Sequence, residues 1–394
     1  MVSKDKVFSR IGSIDITRGL VMVIMALDHV RDFIHKTSMI QNPLDLQTTT
    51  TLLFLTRWVT HICAPTFVFL SGVSAFISFR RQNNISVSRR FLLTRGLWLV
   101  FLELTFVSFA LWFDIHFRLL LLEVISAIGF SFIILSFLVK LPSRVIGLIG
   151  IIIVLSHNLL QGISFPTNQI SILISSLLFR PDMIPVSNDL AFYSAYPIIP
   201  WLGILLSGFG CGELFELPGE KRKRLFLKIG LSILMLFAVI RFINIYGDPS
   251  KWATQKSSIF TFLSFINLTK YPPSLLFTLM FIGVTFLILY ISEGLKNRFT
   301  EIFEVFGRVP LFYFIIHLYI IHSLMFIILN IQGYSSSDFV FGLFKNGRPT
   351  TGGGVGLLWI YLIWIGTVAI LYPLCKWYGK YKIGHPDNIF LRYL

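Results

Sequence analysis

The sequence predicts an all-α polytopic membrane helix bundle of about ten transmembrane helices, with both termini in the cytoplasm, and three observations predict it. Mean hydropathy is +0.77, with 55% of residues hydrophobic and 13% charged, a balance foreign to a water-soluble globular chain. Apolar runs of about 20 residues, the length that crosses a bilayer, recur ten times along the 394 residues. Lysine and arginine alternate in the connections between them, 22 on the side that holds both termini and 8 on the other, which places the first side in the cytoplasm. The net charge of +15 is therefore a topology signal, and no nucleic-acid partner is expected.

The runs cover 12–35, 52–79, 91–113, 118–139, 143–160, 197–215, 226–246, 273–292, 309–330 and 355–376. The basic leader from Met1 to Arg10 runs straight into the first without a small-residue cleavage site, so that run is read as a helix that stays. Connections 161–196, 247–272 and 331–354 fall on the outer side and carry Pro, Gly, Ser and Asn; long connections on one face are where a binding surface is often built. With no tandem repeat and no appended soluble domain, residues 1–394 are read as one domain. Cys63, Cys211 and Cys375 lie in or at the ends of apolar runs without C-x-x-C spacing and read as small core residues.

Ionisable residues are costly inside a bilayer, so each is a candidate functional group unless it can reach the interface from a helix end. The first run enters as Gly12-Ser-Ile-Asp15-Ile-Thr-Arg18-Gly19 and leaves as Asp28-His29-Val-Arg31-Asp32-Phe-Ile-His35. Asp15 and Arg18 are spaced to pair. Arg18 and His29 return to within roughly 20° of one helix face, about 16 Å apart along the axis. That separation is comparable with an extended pantetheine arm, with Arg18 placed to hold phosphates and His29 to meet a thioester. Asp32, one turn past His29, is placed to orient its ring and fix its tautomer, as a general base requires; a structural hydrogen bond between helices is the competing reading of His29. Asp28, Arg31 and His35 read as structural or interfacial.

In the second run Arg57 and His61 stand one turn apart at a depth similar to that of His29, followed by Pro65, which loosens or kinks a helix. Arg57 either stabilises an oxyanion or neutralises Asp28 or Asp32. Glu103, mid-span in the third run, and Glu123, a turn into the fourth, must be protonated or paired. Arg241 and Asn244 read as snorkelling from the seventh. Ser71-Gly72-Val-Ser74 and Gly208-Phe-Gly210-Cys-Gly212 read as close-packing patches. His317 and His322 are five apart on differing faces, and no HxxxH or HxxH spacing occurs, so no metal site is expected. A P-loop, a dinucleotide fingerprint and a G-x-S-x-G elbow are all missing from the sequence.

Ser13-Ile-Asp15-Ile-Thr-Arg18-Gly19 followed by Ala26-Leu-Asp28-His29 resembles the first membrane helix of the heparan-alpha-glucosaminide N-acetyltransferase catalytic-domain family. An arginine, ten residues, then a histidine is also similar to the signature of the broader type 3 acyltransferases. Ala64-Pro65-Thr-Phe67-Val-Phe-Leu-Ser71-Gly72, Tyr196-Pro197-Ile-Ile-Pro200-Trp201-Leu-Gly203, Asn267-Leu-Thr269-Lys270-Tyr271-Pro272-Pro273-Ser274 and Gly307-Arg308-Val-Pro310-Leu-Phe-Tyr313, leading to His317, extend the resemblance in the family's order.

It implies transfer of an acetyl or other acyl group from cytoplasmic acyl-CoA, a co-substrate rather than a bound cofactor, to an acceptor on the outer face, a glycan or another envelope component. On that reading Arg18 and Asp15 serve acyl-CoA, and His29 is the base with Asp32 orienting it. Arg57 and His61 give electrostatic support, and Asn267, Lys270, Tyr271 and His317 belong to the acceptor site. The heparan enzymes carry asparagine where His29 aligns and a histidine further on, which makes His35 the alternative base and loosens the link to glucosamine. Direct transfer and an acyl-histidine route both suit these residues. Without a glycosylated lysosomal-type outer domain, a prokaryotic plasma membrane is the expected location, and a homo-oligomer is compatible with the sequence. The rival class is a transporter or exporter of an envelope precursor in which His29 relays protons; the lack of repeats relating the two halves stands against it.

Overall fold

The computed structural model describes residues 10–38, 40–162, 165, 166, 168–350, 352–388 and 391; Lys4, Lys6 and Arg392 of the charge count lie outside the described residues. In lipid the backbone must satisfy its own polar groups, so the apolar runs become helices. Gly12–Ile34 is α1. The second run is two helices, α2 (Thr51–Thr60) and α3 (Cys63–Gln82), rather than one over 52–79. Pro65 offers no N–H to the His61 carbonyl four residues back, and its ring crowds that carbonyl, so the chain turns at His61 and Ile62. α4 (Ile85–Leu102) passes through a π-helical turn, Glu103–Val107, into α5 (Ser108–Trp112).

The fourth run also departs from expectation. Leu119–Leu122 is a strand, β1, and helix α6 covers only Val124–Leu138, so Glu123 stands at its N-cap rather than a turn inside it. β1 pairs in parallel with β3 (Ala191–Ser194), Leu119 opposite Ala191, and β3 pairs antiparallel with β2 (Asp182–Pro185). The outer connection thus folds back and satisfies the β1 backbone, the condition under which non-helical chain is tolerated among membrane helices. α7 (Ser143–Ser156), α8 (Gln169–Leu178), α9 (Ile198–Gly210), α10 (Gly219–Ile243), α11 (Ser258–Ile266) and α12 (Leu275–Ser292) follow. The connection after them holds a further helix, α13 (Arg298–Gly307), ahead of α14 (Pro310–Ile331) and α15 (Leu357–Gly384).

Among the described residues, 8 helical stretches, with α2 and α3 taken as one, are long and apolar enough to cross a membrane. The other two of the ten runs are α6, at 15 residues, and α1, whose charges disqualify it on composition. The chain is an all-α, multi-pass integral membrane protein.

α1 sits in the middle, packed against α2, α3, α12, α13, α14 and α15, which keeps its charges away from lipid. Two glycines bring α13 against it: a β-carbon on Gly19 would lie 1.8 Å from the Phe303 carbonyl oxygen, and one on Gly307 1.9 Å from that of Asp15. The two small-residue patches meet one another in the same way. Gly72 of α3 lies against the Leu205 carbonyl, and Gly208 of α9 against that of Phe69, a backbone approach that only small residues permit.

Candidate active site

His29 projects from α1 toward α14, where its Nδ1 lies 2.7 Å from His317 Nε2 with the two rings stacked at 4.8 Å. His317 Nδ1 is 3.0 Å from the Tyr313 carbonyl oxygen, which only accepts, so His317 carries its proton on Nδ1 and presents a lone pair at Nε2. His29 Nδ1–H then donates to that lone pair. His29 Nε2 is left unprotonated and without a hydrogen-bond partner among the described residues, on a ring that lines a cavity.

The carboxylate expected to orient His29 is engaged elsewhere. Asp32 accepts from Arg31 Nη2 at 2.7 Å, and Asp28 is held between Arg31, at 2.9 Å, and Arg57. Two arginines and two aspartates close a neutral network, so Arg57 neutralises Asp28, one of the two readings open for it. Nor do Asp15 and Arg18 pair. Asp15 binds Arg10, whereas Arg18 donates to the Leu70 carbonyl at 3.0 Å and to the Ser74 hydroxyl.

Three cavities with shared walls run along α1. The inner one, ≈ 310 Å³, takes Arg18, Ser74 and Arg95 among mostly apolar side chains. Phe67, Val124 and Phe314 separate it from a small cavity of ≈ 70 Å³ around His29, Cys63, Glu123 and Tyr196. Asp32, Arg57, Lys270 and Tyr271 in turn separate that one from an outer cavity of ≈ 620 Å³ lined by Gln41, Asn42, His61 and Asn267. His61 is 1% exposed, lies beside the Phe277 and Phe281 rings, and has no hydrogen-bond partner on either nitrogen among the described residues. His35 lines none of these three cavities. Its Nδ1 is 3.0 Å from Thr37 Oγ1.

The outer wall comes from the segment before α12, and Arg241 shapes it. Rather than snorkelling, Arg241 is 1% exposed and donates to the carbonyls of Ser250, Ser264, Phe265 and Asn267 at 2.8 to 3.0 Å. It thereby caps the C-terminal end of α11, where unpaired carbonyls attract a cation. Asp248 braces the following turn, accepting from Thr269 N and Oγ1 at 2.9 Å and from Ser274 Oγ at 2.5 Å. Asn267 Nδ2 donates to the Leu44 carbonyl at 3.1 Å and ties two outer connections together. Glu103 is structural as well, since its Oε2 accepts from Ser126 N–H at 2.8 Å at the N-terminus of α6. Glu123 and Tyr196 carry no local signal of a place beside His29; only the fold brings them there.

Fold and site together define a multi-pass membrane protein in which the half-buried imidazole of His29 stands between a cavity at its Lys/Arg-rich end and a polar cavity at the other. Residues 10–250 match the family model described as heparan-alpha-glucosaminide N-acetyltransferase, catalytic, and the chain belongs to that family. No curated protein matches the chain. Lys270, Tyr271 and His317 come from segments beyond the matched range.

Proposed function

We propose that this protein transfers an acetyl or other acyl group from acyl-CoA, entering at the Lys/Arg-rich cytoplasmic end, to a glycan or other envelope acceptor entering from the outer face. The observation that supports it most is the chain from the Tyr313 carbonyl through His317 to His29. It leaves one basic nitrogen where the inner and outer cavities approach each other. Arg18 and Arg95 give the inner cavity positive charge suited to CoA phosphates, and its apolar walls suit a pantetheine arm.

In the transfer the acceptor hydroxyl or amine bonds to the thioester carbonyl carbon while its proton passes to His29 Nε2. The imidazolium so formed donates to His317 and lies near Asp28 and Asp32. As the C–S bond breaks, the same proton passes to the leaving thiolate. His29 thus acts as base and then as acid.

The test uses purified protein in nanodiscs, radiolabelled acetyl-CoA and a crude envelope glycan fraction. Wild type should release CoA and label the fraction, and His29→Ala should lose about 10²-fold or more of that rate. Wild type that neither binds acetyl-CoA nor releases CoA would overturn this reading and leave the transporter as the better one.

A further inference from the structure

We propose that Lys270 is the oxyanion-stabilising residue of this site, its ammonium facing the thioester carbonyl oxygen while His29 takes the acceptor proton. The inference rests on the acyl-transfer reading. A base accounts for the proton but not for the negative charge that develops on the carbonyl oxygen, and a fixed positive group or dipole must meet that charge. Arg57 and Lys270 are the cations lining the His29 cavity among the described residues, with Arg31 behind them. Both arginines are bonded to aspartates.

Lys270 differs. It is 8% exposed, and its ammonium has neither an ion pair nor a hydrogen bond among the described residues. The ammonium lies over the Tyr271 ring at 4.9 Å and within 5.7 Å of the Tyr196 ring. Aromatic faces hold a cation without cancelling its charge. Asp28, Asp32 and Glu123 line the same small cavity, yet among the described residues no carboxylate comes within ion-pair distance of the ammonium. The backbone behind it is fixed, with Lys270 bridged to Pro273 and the Thr269 N–H and hydroxyl on Asp248. A cation held by aromatic faces, outside any ion pair and lining the same small cavity as His29, is the preorganised arrangement that acyl transfer uses. The acceptor–carbon bond forms and the carbonyl electron pair moves onto oxygen against Lys270. When the pair returns, the C–S bond breaks and the thiolate takes the proton from His29.

Two acceptors separate this role from acceptor binding. Hydroxylamine is too small to engage the outer cavity, whereas the glycan fraction fills it. Lys270→Met should lower kcat about 10²-fold with both acceptors, measured above the protein-free rate, while acetyl-CoA binding stays near wild type and Lys270→Arg recovers part of the loss. A defect confined to the glycan fraction, seen in KM with hydroxylamine transfer intact, would overturn the proposal and assign Lys270 to acceptor binding. If Lys270→Met fails to fold, as its acetyl-CoA binding will report, Lys270→Gln makes the same comparison. An active wild type beside a fully active variant overturns this inference alone, whereas an inert wild type overturns the transfer reading as well.

Discussion

A neutral histidine orients a base differently from a carboxylate. It fixes the tautomer through one hydrogen bond but adds no full negative charge behind the imidazolium, so position matters more than attraction. His317→Leu should therefore cost about 10²-fold or more in kcat, because His29 Nδ1–H loses its acceptor and the proton is free to move to Nε2. His317→Gln, whose amide oxygen can still accept, should retain more activity. Single-turnover rates at saturating acetyl-CoA measure both, and equal losses would count against the tautomer role. The aspartates should separate by burial. Asp28, with a side chain 10% exposed between two arginines, should lose about 3 kcal/mol of stability on Asp28→Asn, since buried charge is left uncompensated. The Asp32 side chain is 46% exposed, and Asp32→Asn should cost about 1 kcal/mol or less; thermal melting in detergent compares them. The i, i+3 spacing of His29 and Asp32 was readable from the sequence, but the adjacent Arg31 competes for the same carboxylate. His317 lies 288 residues from His29, and no local pattern announces a partner so distant.

Elements meet here through places where side chains are missing. The α13 backbone reaches α1 because Gly307 has no β-carbon, and Gly307→Ala would set a methyl 1.9 Å from the Asp15 carbonyl oxygen. Neither backbone can yield easily, so a loss of about 1–3 kcal/mol is expected, read as a lower melting temperature in detergent. Gly366 of α15 has nothing within 4 Å of such a carbon among the described residues. Gly366→Ala should be neutral or slightly stabilising, by up to about 1 kcal/mol of helix propensity. If the two variants melt alike, the contact between α1 and α13 is looser than these distances require. The glycine patches of α3 and α9 were legible as packing because small residues at helical spacing have few other uses in a membrane. Pro65 marked the break after α2 for an equally local reason. β1 was not legible: four leucines read the same in a strand as in a helix, and its partner β3 lies about 70 residues further along, in a connection whose pairing no local pattern reveals. Arg241 was misread for the same reason, since the carbonyls it binds belong to a segment that only the fold returns to the end of α10.

At the scale of the whole molecule, hydropathy made the spans readable, and the Lys/Arg asymmetry predicts their direction. α1, which carries His29, was readable as the first apolar run in spite of its charges, and the six helices packed around it are what let the bundle hold those charges. The cavities along it widen at both ends, ≈ 310 Å³ and ≈ 620 Å³, and narrow to ≈ 70 Å³ beside His29. On the proposed transfer, a waist of that size admits a thioester and a short acyl group but not a nucleotide, and the donor is expected to reach His29 from one end and the acceptor from the other. The arginines of the inner cavity lie toward the Lys/Arg-rich end of the bundle, which is the donor's side on the proposed transfer. In proteoliposomes sorted by the position of a C-terminal tag, acetyl-CoA added outside should be consumed only by vesicles whose tag is also outside. A membrane-impermeant acceptor added outside should be labelled only by vesicles with the tag inside and acetyl-CoA in the lumen. Consumption of external acetyl-CoA by vesicles whose tags are inside would mean that the donor enters through the larger polar cavity, and the roles assigned to the two ends of α1 would have to be exchanged.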